Sequence, residues 1–177
     1  VMWSVNMKYR YVYPSIVGNL LLESDGEYLT KLEFIHDSTI EDSSNSSGVF
    51  NETIKWLDIY FNGINPDFIP KYRYEKISSF AKDVLDITSK IPYGHVITYG
   101  DIAKEIALKR GIKKMSAQAV GGALNKNCIC IIVPCHRVIG QNGNLVGFGG
   151  KVKNKIKLLK LEGNDMSKYY YKGDLND

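Results

Sequence analysis

The residues best suited to covalent chemistry sit in one short run, Ile132-Val133-Pro134-Cys135-His136-Arg137-Val138. An apolar segment stops at a proline and presents a cysteine directly followed by a histidine. A cysteine attacks carbon as a thiolate, and a nearby imidazole or positive charge lowers its pKa. Adjacent strand residues point to opposite faces, so this pair converges only if the chain turns there. The same dipeptide also suits a buried, inert cysteine beside an apolar strand. Cys128 and Cys130 alternate along the preceding run and are expected to pack into the core. An odd number of cysteines spaced C-x-C-x4-C reads neither as a disulfide framework nor as a common zinc pattern. His36, His95 and His136 form no pair at helical ligand spacing, and a reducing compartment fits.

A second unusual feature is the helical run Ala117-Gln118-Ala119-Val120-Gly121-Gly122-Ala123-Leu124. Two consecutive glycines inside a helix cost about 1 kcal/mol each against alanine. Close approach of another backbone, from nucleic acid or from a packed helix, is what a missing side chain permits.

The elements that must position these residues are legible in outline. Tyr9, Tyr11, Tyr13 and Ile16 to Leu22 read as strands, followed by a turn at Ser24-Asp25-Gly26 and a strand over Glu27 to Ile35. Asp42 to Gly48 is a loop by composition, Asn51 to Phe61 an amphipathic helix, and Asn65 to Tyr74 a linker. Ile77 to Thr88 repeats with helical period. Thr98 is placed to cap a helix over Tyr99 to Ala107, and Ser116 one over Ala117 to Asn125. Between them lies a basic loop, Lys109 to Lys114, so the pair reads as a helix-turn-helix. Ile129 to Val133 reads as a short buried strand, and Gly140 to Gly150 as a glycine-rich loop. Lys151 to Leu161 reads as a final helix capped by Gly163. Its lysines at 151, 153, 155, 157 and 160 are expected on a solvated surface, or on a polyanion-binding one. The organisation is therefore α+β: residues 1–74 form an N-terminal domain and linker, 75–163 a mostly helical domain, and 164–177 a mobile tail.

Charge is distributed unevenly. Residues 1–90 carry 9 Lys+Arg and 13 Asp+Glu, whereas residues 91–177 carry 14 and 6. A basic second half points to a polyanion such as nucleic acid, or to a lysine-rich solvated surface. No apolar run approaches the ~20 residues of a membrane span. Val1 to Tyr13 lacks the pattern of a secretory signal, so a cytoplasmic location, nuclear in a eukaryote, is expected.

Residues 75–163 resemble the O6-alkylguanine-DNA alkyltransferases (methylated-DNA–protein-cysteine methyltransferases). The resemblance rests, in order, on Pro92-Tyr93-Gly94, Thr98-Tyr99-Gly100-Asp101-Ile102-Ala103, Ala119-Val120-Gly121-Gly122-Ala123 and Asn125-x-Asn127. It continues through Ile132 to Val138, Gly147-Phe148-Gly149-Gly150 and Leu158-Leu159-x-x-Glu162-Gly163. Residues 1–70 match in outline the RNase H-like N-terminal domain of that family. The resemblance implies transfer of an alkyl group from O6-alkylguanine in duplex DNA onto Cys135, in a single irreversible turnover with the base flipped out. O4-alkylthymine is a second candidate lesion. Glu162 would orient His136, His136 would take the thiol proton through a water, and Asn127 would fix the Cys135 loop. Tyr99 would donate a proton towards guanine N3. Ala117, Gln118, Ala119, Gly121, Gly122 and Arg137 would contact DNA in the minor groove, largely without regard to sequence. Val138, Phe148, Gly149 and Gly150 would line the base pocket. The resemblance also implies a monomer with no cofactor. No cysteine lies in the N-terminal domain to hold the zinc that some members bind there.

Three positions depart from the family pattern. Gln118 stands where an arginine usually fills the gap left by the flipped base. Phe148 stands where tyrosine is usual. The loop Leu108 to Met115 is longer, and its Lys109, Arg110, Lys113 and Lys114 are candidate phosphate contacts. Three other readings use the same features: an alkyltransferase-like damage binder that does not transfer, a transcription regulator, and a cysteine hydrolase. The retained Cys135, a Gly-Gly helix with few base-reading side chains, and the lack of an oxyanion motif weigh against them in turn.

Overall fold

Tyr9, Tyr11 and Tyr13 lie on β1 (Tyr9–Ser15), the first strand of a computed structural model that describes residues 8–36 and 48–175. β1 pairs antiparallel with β2 (Gly18–Ser24), and β2 with β3 (Leu29–Phe34), so chain order is sheet order. The central strand is buried from Leu20 to Ser24. α1 (Gly48–Phe61) turns Val49, Phe50, Thr53, Trp56, Leu57 and Tyr60 inward, the spacing of a single apolar stripe. It starts three residues before the expected Asn51. The loop expected over Asp42 to Gly48 lies, apart from Gly48, outside the described residues. The expected linker is docked rather than free. Leu29 N donates to Lys71 O at 2.9 Å and Arg73 N to Leu29 O at 3.0 Å, adding a bridge from Tyr72 to Leu29.

The chain divides into two units, Val1–Glu75 and Lys76–Asp177. The second unit begins with α2 (Ser79–Thr88), capped by Ser78 Oγ accepting from Ala81 N. The short strand β4 (Ile97–Thr98) leads into α3 (Tyr99–Arg110), where Thr98 and Asp101 form a reciprocal capping box. α4 (Ala117–Leu124) starts at Ser116, whose hydroxyl accepts from the amides of Gln118 and Ala119. β5 (Val138–Ile139) pairs parallel with β4, setting Ile97 opposite Val138, and α5 (Val152–Leu161) closes the unit. The β4–β5 pair matters most for the site, because it brings the segment after Cys135 beside the segment before Tyr99.

Four sequence expectations change here. α3 runs on to Arg110 and ends at Gly111 in the left-handed region (φ 64°), so Lys109 and Arg110 are helical. Both are held by Asp83, at 2.8 and 3.0 Å, rather than lying in a basic loop. Residues 129–133 are a tight loop and not a strand. Ile131 sits at φ 71°, and Val133 N and Ile132 N donate back to Ile129 O and Cys130 O. Apolar periodicity alone does not separate a buried loop from a buried strand. Finally, the tail is anchored: Leu145 N donates to Tyr170 O at 2.9 Å and Tyr170 N to Gly143 O at 3.0 Å. Met166, Tyr169 and Tyr171 pack on the cluster of Ile139, Leu145, Val152 and Leu159. Among the described residues, no helix is long and apolar enough to cross a membrane.

Candidate active site

Pro134 ends the loop, and the chain then makes a single 3-10 turn, Cys135–Arg137. That turn supplies the convergence an extended chain would deny to a Cys-His pair. Asn127 sets the geometry from below. Its Nδ2 donates to Val133 O (2.9 Å) and Cys135 Sγ (3.3 Å), and its Oδ1 accepts from Ile129 N (2.9 Å). One amide thus pins both ends of the loop and touches the sulfur.

Cys135 is 9% exposed, and its pKa is pulled below the ordinary thiol value. A hydrogen bond from the Cys130 thiol is the largest cause. Burial opposes it, and the Asn127 amide and the Lys155 charge act with it. Cys128 and Cys130 are only half-buried, not core residues as expected.

His136 and Glu162 are both buried, with Nε2 and Oε2 2.6 Å apart. Burial holds the imidazole pKa below its usual value despite the adjacent carboxylate. The ring is therefore neutral near pH 7, with Nε2–H donated to Glu162 and the lone pair on Nδ1. Nδ1 is itself buried and has no hydrogen-bond partner among the described residues.

Arg137 is where the structure departs most from expectation. Assigned to DNA, it is instead buried, with Nε 2.7 Å from Glu162 Oε1 and Nη2 3.1 Å from Oε2. Nη1 donates to Ile91 O at 2.7 Å. Burial acts to raise the Glu162 pKa, but the hydrogen bonds and charges of His136 and Arg137 outweigh it and hold it at about 2. Gly94 N adds a contact to Oε1 at 3.2 Å. The forked guanidinium supplies the countercharge, so Glu162 is ionised beside a neutral histidine.

Sequence reasoning also missed Lys155. It is fully buried, not on a solvated face, and its Nζ donates to Val138 O (2.6 Å) and Leu145 O (3.0 Å). Nζ lies 6.0 Å from the Tyr99 ring centroid and 5.7 Å from that of Phe148. Burial brings its pKa down to about 8, with the Cys135 charge acting against that. The signal was present in the sequence: Lys155 shares the inward face of α5 with Val152, Leu158 and Leu159. Tyr99, in the first turn of α3, has its pKa raised to about 12 by burial and by the Cys135 charge, so it keeps its proton.

Tyr99 and Phe148 also line a groove of about 830 Å³, together with Gln118, Gly121, Gly122 and Gly149, among others. Two expected lining residues are elsewhere: Val138 is buried in β5, and Gly150 is buried at the head of α5. The outer face of α4 carries Ala117, Gln118, Ala119 and Gly122, all exposed. A Cβ built on Gly122 meets nothing within 4 Å, and one on Gly121 meets only the Tyr99 ring at 3.8 Å. Tight helix–helix packing therefore does not account for the glycine pair.

Residues 79–164 match the family described as "6-O-methylguanine DNA methyltransferase, DNA binding domain", and residues 7–68 the "ribonuclease-like domain" of the same family. The chain is 39% identical over 163 residues to the methylated-DNA–protein-cysteine methyltransferase of Methanosarcina acetivorans, covering 88% of this chain and 98% of that one. Against the Mycobacterium leprae enzyme of the same name the identity is 38%, covering 84% and 88%. Among solved structures it resembles O6-methylguanine methyltransferase of Mycobacterium tuberculosis with a TM-score of 0.73 at 34% identity, covering 96% and 98%. It resembles the M. tuberculosis OGT in complex with DNA with a TM-score of 0.72 at 33% identity, covering 92% and 94%.

Proposed function

The chain belongs to the 6-O-methylguanine DNA methyltransferase family, and on that premise we propose that it repairs duplex DNA by moving an alkyl group from guanine O6 onto its own Cys135. The observation that carries this reading is the set of groups around one sulfur. Asn127 and Cys130 touch it, Lys155 lowers its pKa, and the neutral His136 with its Glu162–Arg137 support follows directly in the chain.

In this reading His136 Nδ1 takes the Cys135 proton through a water, on the logic of a base oriented by a carboxylate. Sγ then attacks the alkyl carbon. The C–S bond forms as the C–O6 bond breaks, and the bonding pair passes to the guanine. Tyr99, which keeps its proton, donates it towards N3 as charge develops on the ring. The thioether is stable, so each molecule acts once.

Guanine reaches a nearly buried sulfur only out of the base stack, at a cost of a few kcal/mol. α4 is the element suited to hold the opened duplex. Its exposed face of alanines and glycines fits a minor groove about 6 Å wide and offers little to read sequence. Phe148 and Gly149 flank the extruded base. Every group invoked comes from one copy of the chain, so a monomer suffices, in the compartment that holds the DNA. Damage binding without transfer is not favoured, because the nucleophile and its supporting groups are all present. The test is Cys135→Ala, which is expected to abolish transfer and keep duplex binding. Transfer to Cys128 or Cys130 in that variant would overturn the assignment.

A further inference from the structure

Cys130 is not consumed by the proposed reaction, yet it is held against the reacting sulfur. The loop folds back at Ile131, and Cys130 bridges to Val133 two residues before Cys135. Cys130 Sγ lies 3.8 Å from Asn127 O, while the side chain of the same asparagine contacts Cys135 Sγ at 3.3 Å. The Cys130 thiol also acts on the Cys135 sulfur directly enough to lower its pKa. Neither is enclosed beyond the reach of a small oxidant: Cys130 is half-buried and Cys135 is 9% exposed. None of the three cysteines is in a disulfide, and among the described residues no group of three or more His, Cys, Asp and Glu side chains is arranged to hold a metal ion.

We infer that Cys130 is a resolving thiol, which closes a reversible disulfide with Cys135 when the protein meets a hydroperoxide. The inference rests on the reading of Cys135 as the reactive thiolate. In the first step the Cys135 thiolate attacks one oxygen of hydrogen peroxide. The O–O bond breaks, hydroxide leaves, and Cys135 becomes a sulfenic acid. In the second, Cys130 sulfur attacks the sulfenic sulfur. The S–S bond forms, the S–O bond breaks, and the Cys130 proton leaves with the hydroxyl as water. Two electrons pass from the two sulfurs to the peroxide. A protein that can use its nucleophile once gains from this, because unresolved sulfenic acid proceeds to sulfinic acid, which simple thiols do not reverse. The disulfide blocks transfer while it lasts and returns the thiolate on reduction.

The test treats the reduced protein with two equivalents of hydrogen peroxide, enough to carry one thiol to sulfinic acid, and then alkylates remaining thiols with iodoacetamide. Intact mass is measured, and the tryptic peptide Asn127 to Arg137, which holds all three cysteines, is fragmented. The expected product has lost two hydrogens, carries the label on Cys128 alone, and gives no backbone fragments between Cys130 and Cys135. Methyl transfer is lost in this product and regained with dithiothreitol. Cys128→Ser behaves as the parent, whereas Cys130→Ser gains two oxygens on Cys135 that dithiothreitol does not remove. A bridge that uses Cys128, or sulfinic acid on Cys135 of the parent at the same peroxide dose, overturns the inference. Transfer from O6-methylguanine DNA to the reduced parent is measured alongside. A disulfide without transfer supports the redox pair and removes the transferase reading, and transfer without the disulfide does the reverse.

Discussion

Arg137 grips Glu162 with two nitrogen–oxygen contacts, of 2.7 and 3.1 Å, through a fully buried carboxylate. Because the guanidinium carries the countercharge, His136 can face the same carboxylate and remain neutral, which is the form a proton acceptor needs. Arg137→Met should therefore act at two levels. Removing one partner of a buried pair costs about 3–5 kcal/mol of stability. The uncompensated carboxylate should also raise the His136 pKa, moving the acid limb of the transfer rate to higher pH. A variant with unchanged melting and pH profile but weaker DNA binding would return Arg137 to the DNA surface.

Glu162 carries its own pH signature. Its pKa is about 2 in the folded chain against an ordinary value of 4.5. The stabilisation this represents is present above pH 4.5 and is lost as the pH falls towards 2. Glu162→Gln should flatten the loss of stability over that window relative to the parent. It should also slow transfer by about 100-fold or more, as expected when a general base loses its support. Parallel acid-unfolding curves and single-turnover rates check both, and equal rates would remove Glu162 from the relay.

Lys155 predicts an alkaline limb. Its charge helps to hold Cys135 as thiolate, and its pKa is about 8. As the pH rises past about 8 the ammonium is lost, so transfer by the parent should fall there. Lys155→Met should be slower at every pH and lack that limb. It should also melt lower, since two buried carbonyls lose their donor at about 1–3 kcal/mol each. An alkaline limb that persists in the variant would assign it to another group.

These three residues show what the sequence held and what it hid. The caps at Thr98 and Ser116 and the Gly-Gly helix are local features, each readable within a few positions, whereas the sequence leaves open whether the chain turns at Cys135–His136. The bond from Arg137 to Glu162 spans 25 residues. A basic residue beside a motif looks the same from sequence whether it faces phosphate or a buried carboxylate. Lys155 was masked by lysines at alternate positions, although the other buried residues of α5, Val152, Leu158 and Leu159, are all apolar. The 129–133 run is apolar enough for a strand, but the Asn127 clamp makes it a loop, and long-range hydrogen bonding leaves no periodicity to read.

The Gly-Gly pair predicts a trade of stability against function. Among the described residues, an added Cβ at position 122 meets nothing within 4 Å outside its own turn of helix. Gly122→Ala should therefore stabilise α4 by up to about 1 kcal/mol. The same methyl group projects from the face proposed to enter the minor groove, so duplex binding should weaken. Transfer from free O6-alkylguanine should be unaffected. A variant that melts higher and binds duplex DNA as well as the parent would place DNA on another surface.

Gln118 is exposed on that face, and Arg110 is tied to Asp83 at 3.0 Å with its guanidinium over the Phe80 ring. Arg110 is thus committed elsewhere rather than placed to fill the gap left by a flipped base. Gln118→Arg adds a longer, charged, planar group able to stack there. It should raise the ratio of transfer rates on duplex DNA and on free O6-alkylguanine. An unchanged or lower ratio would mean that position 118 does not limit flipping.

The central claim is that the alkyl group ends on one sulfur of this chain. The direct measurement is intact mass and peptide mapping after the reduced protein is mixed with duplex DNA containing a single O6-methylguanine. The account predicts one methyl group per protein molecule, on Cys135, with the guanine restored and no second turnover. Protein of unchanged mass bound to unrepaired DNA, or a methyl group on any other residue, would contradict it.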